Sequence, residues 1–338
     1  MRCGEGLTIP PTSHGNDALT AWLIRKTRLR LPQGVAAIVL TVFAMALTDA
    51  IIKLSSSGMT LWQIWVLRSA IVLPLLLIAT RGRIMASEGS TNGTIWVAAR
   101  SFALVLQYLC LYSVLPLIDL ALAGAAFYTA PFFIVGLSAI VLGNRVTFRH
   151  WLAILIGFVG LLLIVRPLGA DFTPLVLMPV AAAVFYATAA IITRARCDNI
   201  PPLMLALWLN LACGATGLIL GAGRELIPSP PMASFILGPW NSMSSNDWLM
   251  ILALSVLIIG IAVGLAKAYQ SPHPEVIATF DFSYMIFAVF WGFVFFDEVP
   301  GGWTLVGMAL IISGGLGALV IRDGVGKSAR HVAENRNS

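Results

Sequence analysis

Long apolar runs constrain this chain more than any other feature. From Gly34 onward, stretches of about 20 residues with almost no charge alternate with short polar breaks. A run of that length matches the ~30 Å of hydrocarbon that an α-helix crosses. Lipid offers no partners for backbone N–H and C=O groups, so each run must close its hydrogen bonds within itself, as a helix. Composition agrees: 59% of residues are hydrophobic and 11% charged, against about 25% charged in a soluble domain. The expected class is an all-α integral membrane protein.

The runs divide into ten expected spans: 34–54, 60–79, 95–115, 118–142, 148–165, 173–193, 202–222, 248–270, 275–296 and 302–321. Turn-forming clusters such as "SSSG" (55–58), "SPHP" (271–274) and "PGG" (300–302) separate them. The longest break, 223–247, is rich in Pro and Ser and reads as a flexible loop, with Phe235, Ile236 and Trp240 at the membrane interface. If the N-terminus is cytoplasmic, fifteen of the 21 Lys and Arg residues fall on the inner side, and only Arg166 and Arg224 on the outer. The positive-inside rule then places both termini in the cytoplasm of a cell membrane, a bacterial inner membrane being the expected one.

Internal similarity adds topology. Residues 127–165 match 281–320 with a shift of 154, which pairs Asn144 with Glu298 and Gly160 with Gly314. "DAIIKL" (49–54) also corresponds to "AAIITR" (189–194). The chain thus reads as two repeats, 34–166 and 173–322, between tails 1–33 and 323–338. Five spans per half is an odd number, so the second half enters the membrane inverted. The expected architecture is ten transmembrane helices as two inverted five-helix repeats. That arrangement typifies secondary transporters, with a binding site near the midplane between the halves.

Several stretches carry a family resemblance: "TDAIIKL" (48–54), "WVLRSAIVLP" (65–74), "APFFIVGLSAIVLGNRVTFRHWLAILIGFVGLLLIVRP" (130–167) and "FFDEVPGGWTLVGMALIISGG" (295–315). The chain resembles the EamA family of the drug/metabolite transporter superfamily over nearly all of 34–322. Within it the likeness points to the branch of S-adenosylmethionine uptake transporters. Pro131 fits the family pattern, whereas "GNRVT" carries Asn144 where an acid is usual; the second half keeps its acid as Glu298 in "DEVP". The resemblance implies transport of a small organic metabolite, such as an amino acid, a nucleoside-like or a vitamin-like solute, by alternating access. Its partners would be the solute, membrane lipid, and a coupling proton or counter-transported solute, with the protein a monomer or homodimer.

Charged residues inside spans are costly and ask for a reason. Asp49 and Lys53 lie one helical turn apart, a spacing that favours a pair. The alternative has Asp49 lining a cavity while Lys53 snorkels at the outer rim. Arg68 is eight residues into its span, roughly 12 Å deep. It is either a contact for a carboxylate or phosphate or a structural ion pair. Arg100 and Lys267 lie near the inner ends of their spans, where they can snorkel. Asp281, in "TFDFSY", is a candidate proton carrier or ligand for a cationic solute, or a partner for Arg68. Aromatic rings offer stacking for planar or cationic solutes. Trp62, Trp65, Tyr108, Tyr112, Tyr128, Tyr186, Phe280, Phe282 and Tyr284 fall in spans, Trp62 at an expected interface level; Tyr108, Tyr128 and Tyr284 are singled out, with Gln107 as a neutral hydrogen-bonding group. "GIAVG" (260–264) is a small-residue motif for close helix contact.

Other classes lack their chemistry. The net charge of +6 comes from bases flanking the apolar runs, not from a patch for nucleic acid. Four cysteines show no metal spacing, the four histidines lie in tails, in a break or, as His150, at the very start of a span, and "DGVGKS" (323–328) lacks the first glycine of a P-loop. No cofactor, metal or enzymatic activity is expected. A membrane enzyme acting on lipid, or a non-transporting scaffold, are the alternatives.

Overall fold

The computed structural model describes residues 35–82, 91–141, 148–165, 173–197, 200–226, 234–269, 280 and 282–314. Among these residues there is no strand. The helices, in chain order, are α1 (Val35–Ser55), α2 (Leu61–Ala79), α3 (Thr91–Val114), α4 (Leu120–Phe127), α5 (Ala130–Val141), α6 (Phe148–Val165), α7 (Leu177–Arg196), α8 (Pro202–Gly223), α9 (Ser234–Leu237), α10 (Ser245–Tyr269), α11 (Tyr284–Phe296) and α12 (Gly302–Gly314). Seven stretches are long and apolar enough to cross a membrane: Val35–Ser55, Leu61–Ala79, Gly93–Val114, Leu120–Val141, Pro174–Arg196, Pro202–Gly223 and Ser245–Ala262. Large apolar side chains such as Leu40, Ile78, Ile140 and Ile219 face outward, as lipid contact requires. These seven stretches coincide with seven of the ten expected spans. At the other three, the apolar helices described are shorter than a crossing: Leu155–Ile164 within α6, α11 and α12.

The expected span 118–142 is broken. A turn at Tyr128 and Thr129 separates α4 from α5. Pro131 explains the break, because it has no N–H to close an α-helical bond to Phe127 and its ring would crowd that carbonyl. The Tyr128 N–H is satisfied by Gly124 O at 2.9 Å. The break leaves the Tyr128 side chain pointing into the core.

Close packing follows the glycines. In lipid, association relies on contact more than on expulsion of apolar surface, so small residues mark helix crossings. Helix α8 lies against α2 along Gly214, Gly217 and Gly221. A Cβ added at these positions would come within 3.0 Å of Ser69 Cβ, 3.0 Å of Trp62 O and 2.5 Å of the Trp62 ring. Helices α6 and α12 cross backbone to backbone, since a Cβ on Gly160 would lie 2.7 Å from Gly307 O. The expected motif at 260–264 contributes half of what its pattern implies. Gly264 fits against Thr41 of α1, while Gly260 faces open space.

The α8–α10 connection departs from the expected loose loop. Over 234–244, α9 and the segment after it are tied to the start of α2. Trp62 Nε1 donates to Gly238 O at 3.0 Å. Gln63 exchanges two hydrogen bonds with the Asn241 backbone, and Asn241 Nδ2 donates to Gly58 O. Phe235, expected at the interface, is buried in the core, whereas Trp240 is exposed and packs edge-on against Trp62. Trp62 is therefore a buried anchor and not an interfacial one. Ser244 and Asp247 close a reciprocal cap at the start of α10, with both Ser244 N–H and its hydroxyl donating to Asp247 at 2.8 Å.

Candidate functional site

The two charges of α1 have different partners. Asp49 and Lys53 do not bond one another. Lys53 forms an ion pair with Glu298, and its Nζ also donates to Ile118 O at 2.6 Å. It sits 4.9 Å from the centre of the Phe296 ring. The side chains of the pair are 9% and 12% exposed, so Lys53 is not at a lipid boundary.

Local backbone aims Glu298 at this position. Helix α11 ends with Asp297 in the left-handed region, at φ 54°. Asp tolerates that conformation better than most residues. The reversal lets Asp297 N–H bond Phe293 O, the closure of an αL end, and Glu298 N–H bond Gly292 O. Glu298 then points back to the start of α4, where its Oε2 accepts from Leu120 N–H at 2.7 Å. Asp119, the residue that precedes α4, makes no side-chain cap; Glu298 supplies the negative charge there from 178 residues away. Gly292 leaves room for the carboxylate, since a Cβ there would lie 3.1 Å from its oxygen.

Asp49 lies one turn from Lys53, turned to α3 and α11. Tyr112 donates to its Oδ1 at 3.1 Å and Tyr284 to its Oδ2 at 2.5 Å. Two stacked pairs extend from these phenols. Tyr112 stacks on Tyr108 with centroids 5.4 Å apart and planes 4° from parallel. Tyr284 stacks on Tyr128 at 4.9 Å, and Tyr128 also meets Phe282 at 5.9 Å. Tyr284 fits because its partner on α4 is Gly124, where a Cβ would lie 2.9 Å from the ring.

Arg68, on α2, lies near the Tyr108–Tyr112 stack. It is 3% exposed. Its guanidinium faces the Cys213 thiol and lies within electrostatic range of Tyr108 and Tyr112. Its Nε has no hydrogen-bond partner, and among the described residues no carboxylate pairs with it. Gln107 is buried on α3 beside Tyr108. The structure thus gathers Asp49, Arg68, Tyr108, Tyr128 and Tyr284 around one set of rings. Asp281, and its expected relation to Arg68, lie outside the described residues.

Arg100 corrects another expectation. It does not reach for headgroups but points into the α3–α7 contact, where its Nε donates to Thr193 Oγ1 at 2.8 Å. Thr193, held on its own helix by Ala189 O, fixes the direction. The side chain of Lys267 lies outside the described residues.

Sequence reasoning groups Tyr112 with the other span aromatics without singling it out, and reads Glu298 only as the acid of a turn. The signal for Tyr112 was present, because four residues from Tyr108 is one helix face. No local signal joins Glu298 to Lys53 across 245 positions.

A helical membrane protein with a buried acid and a buried base around stacked tyrosines has the features of a solute carrier. The EamA-like transporter family matches residues 32–166 and again 173–320. The chain belongs to that family. Its relatives include the pseudopaline exporter of Pseudomonas aeruginosa (strain UCBPP-PA14), 25% identical over 83% of this chain and 94% of that one. A riboflavin transporter of Vibrio cholerae is 26% identical over 56% of this chain and 58% of its own length. An S-adenosylmethionine uptake transporter of Rickettsia conorii is 25% identical over 55% and 58%. One crystal structure of a protein superposes with a TM-score of 0.56 at 20% identity, covering 88% of this chain and 99% of that chain, a likeness of fold alone.

Proposed function

We propose that this protein is a secondary transporter that carries a small organic solute across a bacterial inner membrane by alternating access. One observation carries the reading: a buried carboxylate and a buried guanidinium that form no ion pair with one another, both near a stacked tyrosine pair. Uncompensated charges at membrane depth are costly and mark solute pathways. A solute bearing both a carboxylate and a cationic group, with a planar body, would satisfy Arg68, Asp49 and the rings together. The relatives named for S-adenosylmethionine, riboflavin and pseudopaline support a metabolite of this size and polarity. Two inverted five-helix repeats with both termini cytoplasmic supply the frame, and the double match of the family supports the two-repeat division. Asp49, Arg68, Gln107, Tyr108, Tyr128, Asp281 and Tyr284 line or gate the solute path.

The test is uptake into proteoliposomes of labelled S-adenosylmethionine, riboflavin and aromatic amino acids. Wild type should transport at least one of them, and Arg68→Ala and Asp281→Asn should each lower that rate by tenfold or more. Equal uptake by all three forms would sink the site assignment. A lipid-modifying enzyme or a scaffold would show no saturable uptake at all.

A further inference from the structure

Asp49 is held in a way that a proton would undo. An ionised carboxylate only accepts hydrogen bonds, and both of its oxygens here accept from phenols, Tyr112 on α3 and Tyr284 on α11. Among the described residues, no cation forms an ion pair with it. Lys53, on its own helix, is committed to Glu298 and Ile118 O. Arg68 on α2 is turned to Cys213 and is not within ion-pair distance of Asp49. From α3 come only Tyr108 and Tyr112, and from the α4 side Tyr128, stacked on Tyr284. Helix α10 meets α1 at Thr41 through Gly264 and at Ser55 through Met250; its acid, Asp247, lies beside Gly58, beyond the end of α1. The side chain of Lys267 and all of Asp281 lie outside the described residues.

A protonated carboxyl has one O–H of its own to donate and accepts more weakly. Both phenols cannot then keep the bonds they make to the anion. Tyr284 makes the shorter one and stands at the first residue of α11. The bond spans 235 positions and ties α11 to α1. We propose that Asp49 is the proton-binding site of the transporter, and that its protonation releases Tyr284 so that α11 moves relative to α1. The proton comes from water and leaves to water, the carboxylate becomes the acid and returns, and no other bond is made. The coupling ion is then H⁺. This inference rests on the transport reading for its purpose, but the proton site is testable without a solute.

The experiment is infrared difference spectroscopy of the full chain in lipid nanodiscs, stepped in pH. Acidification should raise a carboxylic-acid C=O band that Asp49→Asn lacks. Tyr284→Phe should move the midpoint of that band by roughly one pH unit or more, the worth of a hydrogen bond to a charged group. Tyr186→Phe, a half-exposed ring away from Asp49, should leave the midpoint unchanged. Should Asp49→Asn fail to fold, Tyr284→Phe and Tyr112→Phe carry the same test. A band that survives in Asp49→Asn, an absent band in wild type, or an unmoved midpoint in Tyr284→Phe overturns the proposal. In proteoliposomes, with labelled S-adenosylmethionine and riboflavin as probes, an imposed gradient of one pH unit should change wild-type accumulation by up to tenfold for one proton per solute. Counterflow with no response to the gradient overturns proton coupling and leaves the transport reading standing. A titrating Asp49 band with no counterflow of either probe counts against transport and not against the proton site.

Discussion

Removing one end of the Lys53–Glu298 bridge strands the other. Both side chains are about nine-tenths buried, at 9% and 12% exposure. Breaking a buried pair from one side costs about 3–5 kcal/mol, because an uncompensated charge stays in the interior. Glu298→Gln keeps an oxygen for Leu120 N–H but leaves Lys53 without its anion, so it should cost about 3 kcal/mol. Lys53→Met leaves the carboxylate with the α4 N-terminus as its main partner and should cost a similar amount. The double variant strands no charge and retains the acceptor for Leu120, so its loss should be about 1 kcal/mol. The coupling, the shortfall of the double variant from the summed single losses, is then about 5 kcal/mol. Unfolding in mild detergent, followed by tryptophan fluorescence for wild type, both single variants and the double, measures it. Single losses under about 0.5 kcal/mol that simply add would refute the reasoning, because exposed ion pairs behave that way.

Other substitutions probe the remaining elements. Gly217→Leu places a side chain where a Cβ would already lie 3.0 Å from the α2 backbone; the folded fraction in size-exclusion chromatography should fall, at a cost of about 1–3 kcal/mol or more. Gly160→Val should do the same at the α6–α12 crossing, with Leu155→Val, at an exposed position on the same helix, as the comparison. Trp62→Phe removes the bond to Gly238 O; it should cost about 1 kcal/mol and speed proteolysis within 234–244. Arg100→Met removes a partly buried charge whose side chain donates to Thr193. Its thermal midpoint should stay level or rise, because buried charges replaced by apolar volume are often neutral or stabilising.

The helices were legible because apolar length is a local property. The break at Tyr128 was also within reach, since Pro131 announces it. Pairing of side chains was not, because it depends on which helices meet. The spacing of Asp49 and Lys53 satisfies the rule for a helical pair, yet each found a stronger partner more than 60 positions away, in Tyr112 and Tyr284 or in Glu298. Arg100 sits at snorkelling depth, and only the position of Thr193 on α7 turns it inward. The motif at 260–264 matched a common pattern. The crossings that need glycine, at Gly217 and Gly160, carry no stronger signal in one sequence than any other glycine in an apolar run.

The central claim is that the Asp49–Arg68 cluster lies on a path open to each side in turn. Tyr108→Cys in a background with Cys3, Cys110, Cys197 and Cys213 replaced by serine or alanine tests it, using membrane-impermeant thiol reagents applied to right-side-out and inside-out vesicles. Alternating access predicts labelling from both sides, with a transported solute slowing both reactions and an imposed gradient favouring one at the expense of the other. Labelling from one side only, or from neither, with no effect of solute, would contradict it.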